Sequence, residues 1–137
     1  PHRWMSRVVA SRFNLSTVYV SQNGKRNDDF AAYIWKSEDY GQTWTDISGN
    51  IPAGSVNVIR EDPRNPDVLY AGTDNAVFVT KDGGENWQGL GDLPSSYVHD
   101  LIVHPRDNII VVATHGRGMW ALDANPVNAT QRGRRFR

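Results

Sequence analysis

Three short stretches hold the side chains best suited to chemistry: Arg26, Asp28 and Asp29; then Asp74; then His115 and Arg117, the latter between Gly116 and Gly118. Carboxylates beside arginines suit two kinds of work. Two carboxylates facing one cleft can cleave a glycosidic bond, one as acid and the other as base or nucleophile. An arginine fork can instead clamp a carboxylate or phosphate without any reaction. The spacing of Asp28, Asp29 and Asp74 assigns neither hydrolytic role, because adjacent turns bring acids together by accident. Glu38, Glu61 and Glu85 are the only glutamates. No residue is therefore assigned to catalysis. Arg26, Asp28, Asp29, Asp74, His115 and Arg117 form a candidate ligand face, the alternative being solvated turn residues or ties between structural units.

Other chemistries are weaker still. His99, His104 and His115 match no compact zinc spacing, and His104 falls where an earlier unit has Asp62 in a turn. The run from Gly116 to Gly118 lacks the strand-to-helix setting of a phosphate-binding loop. Neither a metal nor a cofactor is expected. The absence of cysteine removes disulfides, thiolate ligands and a thiol nucleophile. Fifteen basic residues balance fifteen acidic ones, which argues against a nucleic-acid partner read from charge alone. No apolar run approaches the roughly 18 residues of a membrane span.

The elements that would position these side chains are read from a repeat. Val56, Pro63, Arg64 and Ala71 fall on Val98, Pro105, Arg106 and Ala113 at a shift of 42. Ser37 to Trp44 falls on Thr80 to Trp87 at a shift of 43. Val18-Tyr19 falls on Leu69-Tyr70 at a shift of 51, which places an insertion in the first unit around residues 23–30. A period near 40 made of short strands is the length of a four-stranded propeller blade.

Strands are predicted at 6–11, 17–22, 32–37 and 43–47, then at 56–61, 68–72, 76–80 and 87–90, and finally at 98–103, 108–114 and 118–123. Pro, Asn, Asp and Gly punctuate them. The fold class is all-β: antiparallel β-propeller blades at about 3–54, 55–96 and 97–123, or about two and three-quarter blades, with 124–137 as a basic tail. Trp35 aligns with Phe78 and Trp120, which favours core packing over stacking on a ligand. In up-and-down blades the turns between second and third strands share a face with the links between blades. That face carries the six candidates.

Ser37-x-Asp39-x-Gly41-x-Thr43-Trp44 and Thr80-x-Asp82-x-Gly84-x-x-Trp87 resemble the Asp-box, or bacterial neuraminidase repeat. The Asp folds back onto turn N–H groups, the Gly takes a conformation other residues resist, and the Trp opens the next strand. Asn65 to Thr73 is similar to the blade pattern of sortilin and xyloglucanase proteins, and Thr114 to Asp123 resembles a closing segment of large secreted repeat proteins. The resemblance covers about residues 3–123. It implies a propeller, places the Asp-boxes in a structural role, and implies export.

Its expected function is a non-catalytic binding or structural module of an exported protein. The alternatives are part of a sialidase- or xyloglucanase-like glycoside hydrolase, and a sortilin-like propeller that takes peptides. The lack of a cysteine-rich module weakens the last. Expected partners are the remaining blades or copies of the chain itself, and a glycan or peptide ligand. Any export signal is expected outside these residues. Asn14 and Asn128 stand in glycosylation acceptor triplets.

Overall fold

A computed structural model describes residues 3–91, 94–128 and 135–136. Among these described residues twelve strands form three antiparallel four-stranded sheets in simple up-and-down order. The first holds β1 (Trp4–Ala10), β2 (Val18–Gly24), β3 (Asp29–Ser37) and β4 (Thr45–Asp46). The second holds β5 (Val56–Glu61), β6 (Leu69–Thr73), β7 (Val77–Thr80) and β8 (Trp87–Gly89). The third holds β9 (Tyr97–His104), β10 (Ile109–His115), β11 (Met119–Asp123) and β12 (Arg135–Phe136). The opening strands β1, β5 and β9 contact one another in series, so each is the inner strand of a blade. No described helix is long and apolar enough to cross a membrane.

Pairing register shows which residues share a face. Val8–Val20–Trp35, Ile59–Ala71–Phe78 and Leu101–Val112–Trp120 are equivalent rungs across the first three strands of each sheet. Alternate side chains point to opposite faces, so a sheet caught between two others buries both. The middle sheet does so: all five residues of β6 are buried. One core cluster joins Tyr19, Ile34 and Ile47 to Val56, Ile59, Ala71 and Trp87. The other joins Val58, Tyr70, Val77 and Val79 to Val98, Leu101, Ile110 and Val112.

The inner strands share a further feature. Pairing skips one residue in each, at Ser6 between Met5 and Arg7, at Asn57 between Val56 and Val58, and at His99 between Val98 and Asp100. These bulges are at matching positions. A bulge frees a side chain from the pleat and re-aims it. Ser6 Oγ donates to the Val56 carbonyl at 2.7 Å, and Asn57 Nδ2 donates to the Val98 carbonyl at 3.0 Å. Ser6 and Asn57 thus each tie their inner strand to the next.

Three details differ from the sequence reading. The register matches Ala71 to Val112, not Ala113, because the turn between β9 and β10 is one residue shorter than that between β5 and β6. The insertion at 23–30 lengthens a hairpin, ending in a 3₁₀ turn over Lys25–Asn27 with Asp28 in the left-handed region at φ 57°. The third sheet does have a fourth strand: β12 pairs with β11 and comes from the segment read as a tail. That segment also folds earlier, as α1 (Asn125–Asn128) with Ala124 and Val127 buried in the second core cluster. A two-residue strand carries no period, which is why apolar alternation missed it.

Gly72 marks how tightly the blades approach. A Cβ there would lie 2.5 Å from Val98 Cγ1 and 2.7 Å from Val58 Cγ1. Gly72→Ala therefore destabilises by about 1–3 kcal/mol through overpacking. Gly89→Ala, with nothing within 4 Å of the new methyl, leaves stability nearly unchanged. Denaturant midpoints of the two variants check this.

Candidate functional site

The loop face gathers a polar cluster that spans all three sheets. Lys25 Nζ, from the 3₁₀ turn of the first sheet, lies 2.7 Å from Asp74 Oδ1 and donates to Asn57 Oδ1 at 3.0 Å. It also donates to the Tyr97 hydroxyl at 2.8 Å and sits 4.4 Å from that ring's centre. Asn57 Nδ2 donates to the same Asp74 oxygen at 2.9 Å. The Tyr97 ring meets His115 edge-on, with centres 6.0 Å apart. Partial burial pulls the Lys25 ammonium down, but hydrogen bonds to Asp74 and Tyr97 outweigh it and hold its pKa above the ordinary value.

Of the six predicted residues, the structure brings Asp74 and His115 into this cluster. Asp29 makes its own group: Tyr33 donates its hydroxyl to Asp29 Oδ2 at 2.5 Å, and Arg3 lies 3.7 Å from the same oxygen and 3.9 Å above the Tyr33 ring. The Tyr33 hydrogen bond, with a backbone N–H from Ala31, lowers the Asp29 pKa. A general acid would need the opposite shift. Arg26 stacks on the Trp4 ring at 4.3 Å. Asp28 closes the turn through its backbone. Arg117 is exposed, and its carbonyl accepts the Trp120 indole N–H at 3.1 Å.

Sequence reasoning missed Lys25, Asn57 and Tyr97. Asn57 and Tyr97 lie on inner strands, so the turn-by-turn search passed over them. The one available signal was the matching position of Ser6, Asn57 and His99 in the repeat. His99 and His104 stand apart from the cluster's contacts, and His104 Nδ1 accepts a turn N–H from Asp107 at 3.1 Å, as Asp62 does for Arg64 at 2.8 Å. Among the described residues no three His, Asp or Glu side chains gather to hold a metal ion. Asn14 is exposed and its Oδ1 accepts from Ser16 N and Oγ. The Asn128 side chain lies outside the described residues.

The opposite face carries the two repeated turns. Thr43 donates its hydroxyl and its N–H to Asp39 at 2.5 and 2.8 Å, and Ser37 Oγ donates to Asp39 at 2.8 Å. Asn86 N–H and Nδ2 and Thr80 Oγ1 do the same for Asp82 at 2.9, 3.0 and 2.7 Å. Gly41 and Gly84 take φ of 87° and 104° and donate back to Ser37 and Thr80. Trp87 is buried, its indole N–H donating to the Ile47 carbonyl of the preceding blade at 2.8 Å. Trp44, at the matching position, is exposed.

A model of the Sortilin-Vps10 family (sortilin, neurotensin receptor 3) matches residues 32–130. An oligoxyloglucan-reducing end-specific xyloglucanase of Emericella nidulans is 33% identical over 84 residues, which are 56% of this chain and 10% of that protein. A probable enzyme of the same name from Neosartorya fischeri is 31% identical over 108 residues, 74% of this chain and 12% of its own length. The chain thus spans about a tenth of these relatives. Among solved structures, the GH74 xyloglucanase from Xanthomonas campestris aligns with a TM-score of 0.73 at 19% identity, over 97% of this chain and 23% of its own. YCF48 bound to D1 peptide aligns at 0.61 and 20% identity, over 90% and 37%. Both are similar in fold.

The turn carboxylates make stability depend on acid. Hydrogen bonds from Thr43 in one turn and from Asn86 in the other hold Asp39 and Asp82 at about 2, below the ordinary 3.8. A carboxyl depressed by folding stabilises while ionised, so its contribution is full above about 3.8 and is lost as pH falls toward about 2. Melting temperature should fall across that window. Asp82→Ala should lower it by roughly 5 °C at neutral pH and flatten the acid slope. Thermal melts from neutral pH downward check both.

Proposed function

The chain belongs to the Sortilin-Vps10 family, and on that premise we propose that it is a non-catalytic propeller module of an exported protein, with its ligand face at the loop end of the inner strands. The observation that carries this reading is the Lys25 contact set. Asp74, an acid a hydrolase would draw on, is taken by an ammonium and an amide at 2.7 and 2.9 Å. Asp29 is held ionised by Tyr33 and Ala31. Such a surface is polarised, with the Asp29 and Asp74 carboxylates both engaged as hydrogen-bond acceptors. The Tyr97 and His115 rings, with exposed Arg117 near them in the fold, suit stacking and hydrogen bonding to a sugar, and the xyloglucanase relatives make a glycan the first ligand to try.

On this reading the two repeated turns are Asp-boxes that fasten the β3–β4 and β7–β8 hairpins. Blades beyond these three complete the ring. A second reading, part of a glycoside hydrolase, draws on the two xyloglucanases at 33% and 31% identity. It needs a cleft shared with residues outside this chain.

Titration with xyloglucan oligosaccharides by calorimetry, alongside an assay for new reducing ends, separates the two. The expected outcome is binding without release, weakened about tenfold by Tyr97→Ala, a loss of about 1.4 kcal/mol. Released reducing ends would favour the hydrolase. No heat with any oligosaccharide would remove the glycan.

A further inference from the structure

We propose that the loop face carries a receptor for a primary ammonium, that Lys25 occupies it from within the chain, and that its external ligand is a sugar bearing a free amine. The inference rests on the glycan reading above and narrows it to one class of sugar.

The site is built from three oxygens and one ring. An ammonium is a compact charge with three N–H donors. Three oxygens meet the one on Lys25: Asp74 Oδ1 at 2.7 Å, the Tyr97 hydroxyl at 2.8 Å and Asn57 Oδ1 at 3.0 Å. The face of the Tyr97 ring, its centre 4.4 Å from the nitrogen, adds a cation–π contact. Donors and acceptors are thus matched in number. A planar guanidinium, with five donors in a fixed fork, does not match this set, and the adjacent Arg26 stacks on Trp4 instead.

The acceptors do not depend on Lys25 for their placement. Asn57 is pinned by its own amide, whose Nδ2 donates to the Val98 carbonyl at 3.0 Å and to Asp74 Oδ1 at 2.9 Å. The Asp74 backbone N–H donates to the Ser55 carbonyl at 3.1 Å. The Tyr97 ring rests edge-on against His115. Asn57 and Tyr97 stand on β5 and β9, and Asp74 in the turn after β6. With Lys25 withdrawn, the same three oxygens still converge, and the Asp74 carboxylate is left for another cation.

Lys25 comes from the first sheet on a different kind of support. It sits in the 3₁₀ turn of the lengthened β2–β3 hairpin, none of whose three residues is buried. The Lys25 side chain keeps 26% of its surface exposed and that of Asp74 23%, so solvent reaches the pair. Moving Lys25 away uncovers no apolar core. The lysine is therefore a tethered occupant, competing with an external ligand at an effective concentration on the order of millimolar.

An amine borne on a sugar ring suits the place. Its ammonium takes the position of the Lys25 nitrogen, and Tyr97 and His115 offer ring surface beside the three oxygens for the sugar to stack on. A lysine side chain of a partner supplies the same ammonium without the ring.

Calorimetry of the chain with a glucosamine tetrasaccharide, its amines protonated, and with the N-acetylglucosamine tetrasaccharide tests this. Lys25→Met removes the charge of the occupant and keeps its stem. It should bind the glucosamine tetrasaccharide about tenfold more tightly than the unchanged chain does, a gain of about 1.4 kcal/mol. The acetylated sugar should show no gain. Adding Asp74→Asn to Lys25→Met should abolish the gain with an unchanged circular dichroism spectrum. Equal affinity of the unchanged chain and Lys25→Met, an equal gain for the acetylated sugar, or a gain that survives Asp74→Asn would each overturn the proposal. So would tighter binding of Nα-acetyl-lysine amide than of the tetrasaccharide to Lys25→Met, which makes a lysine side chain the ligand. Xyloglucan oligosaccharides carry no amine. Their binding, with no gain for glucosamine in Lys25→Met, removes the ammonium receptor and leaves the glycan reading standing; heat from neither sugar removes both.

Discussion

An antiparallel sheet with apolar residues on both faces is stable in water only between two other layers, and that constraint organises this chain. The middle sheet shows it satisfied. Ile59, Ala71 and Phe78 pack backward on Tyr19 and Ile34, while Val58, Tyr70, Val77 and Val79 pack forward on Val98 and Leu101. The two core clusters meet through the second sheet, which has no solvent-facing side along β6. A repeat whose unit cannot bury its own surface behaves this way: stability lies in the interfaces as much as in the units.

Apolar packing alone would leave the sheets free to slide, because it is non-directional. Directional bonds fix the offset. The bulges at Ser6 and Asn57 aim a donor at one carbonyl of the next inner strand. Arg60 adds a bond to the Leu101 carbonyl at 2.9 Å, and Arg7 and Arg60 both lie 3.2 Å from Asp100. Glu61 reaches back the other way, accepting from Ser11 Oγ and Arg12 N–H at 2.6 and 2.9 Å. Close approach supplies the last restraint, since Gly72 leaves room for Val98 and little else. The same ties hold Lys25, Asn57, Asp74 and Tyr97 in mutual reach, so the loop-face cluster follows from how the blades are pinned.

Much of this was legible in the residues. The period of about 42, the turn chemistry and the Asp-Gly-Trp spacing marked eleven of the twelve strands and the face carrying Asp74 and His115. What escaped has physical reasons. Ala71 and Ala113 matched by identity, yet the one-residue difference between two turns moves Ala113 to the other face, and only pairing register reveals that. β12 is too short to carry alternation. Lys25 meets Tyr97 across 72 positions of sequence, and no local pattern encodes such a contact.

The two ends of the blades divide the acidic residues by task. At one end, Asp39 and Asp82 turn inward on their own loops, each accepting hydrogen bonds from residues within four positions. Their bonds are local, so they secure a hairpin from within its own turn. At the other end, Asp74 is held by Asn57, 17 positions away, and by Lys25 from another sheet. Its geometry exists only when the sheets are stacked. A surface that depends on stacking reports assembly, and any ligand that bridges Lys25, Tyr97 and His115 binds the stacked state in preference to separated blades. By mass action such a ligand strengthens the stacking that displays it.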